Sequence, residues 1–287
     1  MSEKILYTSN EIEAISNQDI VFIDIRDKED FEKGHIPGAT NIPEIFYFLS
    51  TSTDDGLDEL KSVYTELFSK AGLSSDKMVI IYEDNLNTRY GASCRGFWLL
   101  KYLGHQHVGI LKGGFSQWQK SGNPITTDAE KINPCNFIVN INSSIMATKD
   151  TVLTAINNND IVLLDNRDKV EWVGESSSPY GIDFAPRKGR IPGAVWIEWY
   201  EFMDDNNSIA SFKSNEEIKE LCAQKGIYTD SEIIIYCFKG ARASNTYVAM
   251  HQAGFRNLKV YFGSWNEWSR DLSLPIDSEK IELSLSQ

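Results

Sequence analysis

Residues 21–31 read VFIDIRDKEDF, and residues 162–172 read VLLDNRDKVEW. Each is an apolar run that ends in Asp-x-Arg, so that Asp24 aligns with Asp165 and Arg26 with Arg167. Outward from this pair the same neighbours return in the same order. GHIPGATNIP at 34–43 matches GRIPGAVWIE at 189–198, MVIIY at 78–82 matches EIIIY at 232–236, and LGHQHVGILKGGFSQW at 103–118 matches AGFRNLKVYFGSWNEW at 253–268. The offset between copies is 165 − 24 = 141 at the first block, 189 − 34 = 155 at the second and 268 − 118 = 150 at the last. Insertions therefore fall between blocks, and the chain reads as a duplicated domain with varied loops.

The length of 287 residues agrees, since about 150 residues per domain gives two. In each copy the runs at 20–25, 78–82 and 108–111, then 161–164, 233–236 and 258–261, are apolar at successive positions. That pattern fits strands buried on both faces of a parallel sheet, and helical stretches separate them. The helix after Cys237 reads from Ala241 to Ala253 and stops at Gly254, a left-handed cap, and its counterpart ends at Gly104. The expected fold class is α/β: tandem duplicated domains over 1–126 and 147–287, each a small parallel sheet flanked by helices. The segment 127–146 is polar, holds Pro134 and lacks helical period, and is expected to be the linker.

Composition narrows the function. Hydrophobic residues make up 41% and charged residues 24%, as in soluble globular proteins. The net charge of −13 repels a phosphate backbone, which argues against nucleic acid as a partner. No stretch is apolar for the length a membrane span needs, and the start MSEKILYTSNEIEAI is acidic where a signal peptide would be basic and then apolar. A cytoplasmic protein is expected. Its four cysteines, Cys94, Cys135, Cys222 and Cys237, include no CxxC pair and no His spacing suited to zinc, so neither a metal nor a cofactor is expected.

The chemistry concentrates after the strand EIIIY, where CFKGARAS, residues 237–244, leads into a helix. A strand that turns tightly into a helix aims several backbone N–H groups at one point, and the helix dipole adds partial positive charge. Gly240 lets the backbone turn and approach a ligand, while Lys239 and Arg242 bring two cations. Such surroundings favour a thiolate, which makes Cys237 the candidate nucleophile beside an anion site. Cys94 and Cys222 lie in helical stretches and read as fillers, and Cys135 lies in the linker. A basic cluster, Arg187-Lys188-Gly189-Arg190, interrupts the acidic chain. It reads either as a solvated surface cluster or, through Arg187 and Arg190, as a wall of the anion site.

Taken together, the Asp-x-Arg strand end, the GHIPGA block, the cysteine turn before a helix and the GGFSQW/GSWNEW block resemble the two-domain rhodanese family of thiosulfate and 3-mercaptopyruvate sulfurtransferases. The resemblance covers nearly the whole chain. It implies tandem rhodanese-like domains, the first an inactive copy with Glu83 where the second has Cys237. It further implies that Cys237 takes a sulfane sulfur from a small anionic donor and passes it to cyanide or a thiol. It also implies donor contacts from Arg187 or Arg190. Animal thiosulfate enzymes of the family show Cys-Arg-Lys-Gly and mercaptopyruvate enzymes Cys-Gly-Ser-Gly, whereas this chain has Cys237, Phe238, Lys239, Gly240. The lysine leans toward thiosulfate. Two alternatives stay open: 3-mercaptopyruvate as donor, and a persulfide carrier or binding module that delivers sulfur to a protein partner. Dual-specificity phosphatases share the fold but separate cysteine and arginine by five residues, against four here. The oligomeric state is not legible.

Overall fold

The computed structural model describes residues 4–15, 19–128, 131–204 and 209–279. It divides into two compact units that repeat one topology. In the first, strands β1 (Leu6–Tyr7), β2 (Ile20–Asp24), β3 (Thr40–Asn41), β4 (Met78–Tyr82) and β5 (Val108–Leu111) form one sheet in the order β1-β5-β4-β2-β3. Every pairing is parallel. The helices are α1 (Ser9–Glu13), α2 (Lys28–Lys33), α3 (Glu44–Tyr47), α4 (Asp54–Lys70), α5 (Ala92–Tyr102) and α6 (Gly114–Lys120).

Because side chains alternate along a strand, β4 serves both faces. Ile80 and Tyr82 pack with Phe22, Ile12, Phe115 and Trp118 on one side. Ile81 faces α5 on the other, where Gly96 lets the helix approach: a Cβ there would lie 3.0 Å from Ile81 and 3.3 Å from Ile45. Continuous apolar strands are thus explained by helices on both sides of the sheet.

The second unit has strands β6 (Met146–Ala147), β7 (Ile161–Asp165), β8 (Val195–Trp196), β9 (Glu232–Tyr236) and β10 (Leu258–Tyr261), in the order β6-β10-β9-β7-β8 and again all parallel. Its helices are α7 (Lys149–Ala155), α8 (Lys169–Trp172), α9 (Asn215–Ala223), α10 (Ala241–Gln252) and α11 (Ser264–Arg270). Leu163, Ile234 and Tyr236 share a core with Val152, Ala155, Trp265 and Trp268. Gly104 (φ 93°) and Gly254 (φ 102°) follow α5 and α10 in the left-handed conformation that only glycine adopts cheaply.

The units are not contiguous in sequence. Unit 1 comprises Met1–Phe48, Leu57–Ser143 and Met203–Phe212, and unit 2 comprises Leu49–Gly56, Ser144–Phe202 and Lys213–Gln287. Of the segment expected as a linker, 127–146, the described part up to Ser143 is a strap along unit 1, and residues 144–146 already belong to unit 2. Cys135 N–H donates to the Ser69 carbonyl (2.9 Å), Asn140 N–H to Leu103 (2.9 Å) and Asn142 N–H to Tyr102 (2.7 Å). Phe137, 3% exposed, packs on Phe68 with ring centroids 5.2 Å apart. Polar composition had concealed this anchoring. Within unit 2, the 49–56 segment is held through Ser52, whose N–H and Oγ each donate to Glu267 at 2.8 Å and whose Oγ accepts the Lys149 N–H at 2.7 Å. Among the described residues no helix is long and apolar enough to cross a membrane.

Candidate active site

Both units build the same shelf at the carboxyl ends of their central strands, where open parallel sheets place ligands. In unit 2, β7 pairs with β9 so that Asp165 lies beside Tyr236. Arg167 Nη2 donates to Asp165 Oδ2 (2.6 Å) and to the Gly189 carbonyl (2.8 Å), and Tyr236 OH donates to Asp165 Oδ2 (2.7 Å). Arg26 and Asp24 repeat this in unit 1, with Arg26 Nη2 reaching Asp24 (2.6 Å) and the Gly34 carbonyl (2.7 Å). Both pairs are buried and brace the strand end against the GxIPGA turn.

The turn above the unit 2 shelf begins at Cys237, which is 1% exposed. Trp265 N–H donates to the Cys237 carbonyl (3.0 Å) and Asn266 N–H to the Phe238 carbonyl (2.9 Å), so α11 grips the turn by its backbone. Gly240 N–H donates to Cys237 Sγ at 3.2 Å. Gly240 has φ 87°, and a Cβ there would stand 3.0 Å from Phe262. Only glycine therefore lets the turn curl back on the sulfur and start α10 at the next residue. Lys239 belongs to the same turn, is 6% exposed, and holds its Nζ 4.9 Å from the centre of the Tyr180 ring.

Arg242 bonds two carboxylates of the neighbouring segment. Its Nη1 donates to Asp168 Oδ1 (2.7 Å) and Glu171 Oε2 (2.6 Å), and its Nη2 to Glu171 Oε1 (3.2 Å). Burial alone would lower its pKa, but the Glu171 carboxylate and the nearby Cys237 sulfur raise it well above the ordinary value. Glu171 and Asp168 sit on and just before α8, which follows β7, the neighbour of β9. Arg242 thus ties the first turn of α10 to α8. Its charge reaches Cys237, while its Nη1 and Nη2 donate to two carboxylates.

Arg187 and Arg190 are not brought into the turn as ligand-binding groups. Arg187 donates to the main-chain carbonyls of Trp268, Ser269, Asp271 and Leu274, clasping the end of α11. Arg190 bonds Asp277 Oδ2 (2.6 Å) and the carbonyls of Trp172 and Glu279, with its guanidinium 4.9 Å from the Trp172 ring centre. Arg187 is half-buried and Arg190 buried, and the bonds of Arg187 satisfy carbonyls left over at a helix end.

In unit 1 the equivalent position is Glu83. Phe115 N–H donates to its carbonyl at 2.8 Å, as Trp265 N–H does to Cys237. Glu83 is 1% exposed, and its Oε1 accepts Ser93 N–H (2.9 Å) and Ser93 Oγ, while Oε2 accepts Thr88 Oγ1 (3.1 Å). Burial outweighs these bonds and pushes its pKa up to about 7. The loop runs eight positions from Glu83 to the left-handed Gly91 (φ 76°), against three from Cys237 to Gly240. It carries Arg89 and Tyr90 at positive φ, 47° and 59°. The helix terminus that could receive an anion is filled by the protein's own carboxylate.

Of the other cysteines, Cys94 and Cys222 are buried in helices, and burial drives the Cys222 thiol up to about 12. Cys135 is half-buried, with its pKa raised by burial and by Asp76. Sequence reasoning passed over Ser264. This residue has φ 53°, donates Oγ–H to the Tyr261 carbonyl (2.7 Å) and accepts the Cys237 N–H on Oγ (3.2 Å). A non-glycine held in the left-handed region is a strained position, here beside the candidate nucleophile. Its signal was present in the alignment, where Ser264 stands opposite Gly114 (φ 60°).

Comparison with known proteins finds the same duplication. The model of the rhodanese-like domain matches twice, at residues 9–121 and 148–271. The sulfur carrier protein TtuD of Thermus thermophilus is 33% identical over 253 residues, covering 86% of each chain. The thiosulfate sulfurtransferase of Rattus norvegicus is 27% identical over 246 residues, covering 85% of this chain and 80% of the rat protein. Among solved structures, the 3-mercaptopyruvate sulfotransferase SseA from Escherichia coli superposes with a TM-score of 0.75 at 23% identity, over 92% of this chain and 99% of SseA. With two rhodanese-like domains spanning most of its length, the chain belongs to the rhodanese family.

Proposed function

We propose that this rhodanese-type sulfurtransferase moves a sulfane sulfur from thiosulfate to cyanide or a thiol through a persulfide on Cys237. The observation that carries the proposal is the turn itself: a cysteine at the end of β9 whose Sγ accepts Gly240 N–H at 3.2 Å, at the start of the twelve-residue helix α10, with Lys239 on the same turn.

The thiolate of Cys237 attacks the outer sulfur of thiosulfate. The sulfur–sulfur bond of the donor breaks, sulfite leaves with the bonding pair, and Cys–S–S⁻ remains. Cyanide or a thiolate then takes the outer sulfur, and the electron pair returns to Cys237. Charge is conserved in both steps, and the turn's N–H groups with the α10 dipole favour the sulfur that bears it. Lys239 supplies the cation for the donor. The commitment of Arg242 to Asp168 and Glu171 speaks against phosphoryl chemistry, in which a loop arginine holds the transferred group.

The similarity to TtuD favours one second reading, delivery of the sulfur to a protein acceptor. The donor 3-mercaptopyruvate is the alternative that the SseA likeness keeps in view. The test is intact mass after incubation with thiosulfate or with 3-mercaptopyruvate. A gain of one sulfur on the parent protein, absent from Cys237→Ser, is expected, with thiosulfate the faster donor. No gain from either donor overturns the proposal. A stable persulfide that turns over only with an added protein selects the carrier.

A further inference from the structure

Strands β9 and β10 pair in parallel, and Ile233 N–H donates to the Asn257 carbonyl at 2.9 Å. The same spacing carried on to the end of β10 would set Cys237 N–H against the Tyr261 carbonyl as the last rung of the ladder. At that rung a hydroxyl stands between the two. Cys237 N–H donates to Ser264 Oγ (3.2 Å), and Ser264 Oγ–H donates to the Tyr261 carbonyl (2.7 Å). The direction of both bonds is fixed, because an amide N–H can only donate and a carbonyl can only accept. Ser264 is fully buried at the first residue of α11, with φ 53°. The backbone alone does not ask for this side chain. In the first copy Gly114 holds the equivalent place at φ 60°, and a Cβ there would lie 2.4 Å from the Glu83 and Asp84 carbonyl oxygens. Both copies keep the main-chain grip, Trp265 N–H on the Cys237 carbonyl (3.0 Å) and Phe115 N–H on the Glu83 carbonyl (2.8 Å). Of the two, the copy with the cysteine adds the hydroxyl.

We propose that Ser264 is a positioning residue for Cys237, a hydroxyl that holds the last rung of the ladder open and so turns the sulfur toward the Gly240 N–H. The proposal rests on the reading of Cys237 as the nucleophile that carries the sulfur. Ser264 fixes the peptide before the Cys237 Cα and Trp265 fixes the peptide after it, so the direction of the Cα–Cβ bond is set. One rotation, about that bond, remains for Sγ, and the Gly240 N–H at 3.2 Å selects it. Without the hydroxyl the Cys237 N–H can close on the Tyr261 carbonyl, which draws the start of the turn toward β10 and takes Sγ off its donor. A misplacement of about 1 Å at a reacting atom is enough to cost roughly 10²-fold in rate.

Sulfur loading from thiosulfate in a single turnover, read by intact mass over a range of donor concentrations, gives a limiting rate and a half-saturating concentration. Ser264→Ala keeps the Cβ and its left-handed backbone, Ser264→Gly removes the Cβ and the strain, and both lack the hydroxyl. Each is expected to lower the limiting rate by about the same factor, roughly 10- to 100-fold. The half-saturating concentration should stay at the parental value, because Ser264 bonds the cysteine and not the donor. A serine that served only packing or backbone shape would separate the two variants, since glycine relieves the strain that alanine keeps. A parental limiting rate in either variant, a loss in Ser264→Ala that Ser264→Gly restores, or a loss confined to the half-saturating concentration would each overturn the proposal. Melting temperatures show whether Ser264→Ala is folded at the assay temperature, and if it is not, Ser264→Gly carries the test alone. A parent protein that takes up no sulfur overturns the reading of the reaction and not that of Ser264. The rate of iodoacetamide at Cys237, in which an S–C bond forms and iodide leaves, then replaces sulfur loading; it should fall in both variants, and an unchanged rate overturns the assignment of Ser264.

Discussion

Glu83→Gln should stabilise the protein in neutral and alkaline solution and remove most of a pH dependence. Glu83 is buried, and its pKa is raised from an ordinary 4.5 to about 7, first by burial, against the hydrogen bonds of Ser93, Thr88 and Ala92. A raised carboxyl pKa means that the folded state holds a proton that the unfolded state has released. Stability is therefore fully present below pH 4.5, falls as pH rises, and levels off above pH 7. With ~1.4 kcal/mol per pKa unit, a rise from 4.5 to about 7 costs about 3 kcal/mol at pH 8. Glutamine fits the same space and carries no charge. Its Oε1 can accept from Ser93, and its Nε2 can donate to Thr88 Oγ1, whose own proton then goes to the Asn85 carbonyl at 2.7 Å. Calorimetric melts of parent and variant at pH 5, 6, 7 and 8 provide the check. The variant should melt about 5–10 °C higher at pH 8 for the transition of unit 1, with the gap closing toward pH 5. A variant less stable than the parent at pH 8, or a parent whose melting temperature does not fall between pH 5 and 7, would refute the reasoning.

Three other outcomes follow from the geometry. Arg242→Met leaves Glu171 buried without its cation and should cost about 3–5 kcal/mol, with Glu171→Gln in the same protein recovering much of it; denaturant unfolding measures both. Ser264→Gly relieves the left-handed backbone, worth about 1 kcal/mol, yet removes the acceptor of the Cys237 N–H, so melting should stay near the parent's while the rate of persulfide formation falls. The fragment 145–287 lacks Ser52, which gives Glu267 two donors, and it should melt below unit 2 of the intact chain. Ser52→Ala in the intact chain should reproduce about 1–2 kcal/mol of that loss, and an equally stable fragment would show that the 49–56 segment is dispensable.

The amino-acid sequence by itself determined the duplication, the strand cores and the helix ends, and it singled out the candidate nucleophile, because each is written in local pattern. Residues 20–23 and Met78–Tyr82 are apolar throughout since both faces of a parallel sheet are covered. Gly104 and Gly254 end helices since they alone accept a left-handed backbone without strain. Cys237 stands out because glycine and lysine follow it at a strand-to-helix turn. What only the tertiary structure decided was where long polar side chains spend their bonds. Arg242 looked like a donor ligand, but its partners Asp168 and Glu171 lie 74 and 71 residues away. They meet it because β7 pairs in parallel with β9, which brings the segments leaving both strands to the same, carboxyl end of the sheet. In the same way Arg187 and Arg190 turn inward to carbonyls and a carboxylate 81 to 89 residues on, and Ser52 reaches Glu267 across 215. Arginine and serine carry no sequence period that names a partner. Their reach is a few ångströms in any direction, and the direction is set only when strand order has placed distant segments side by side.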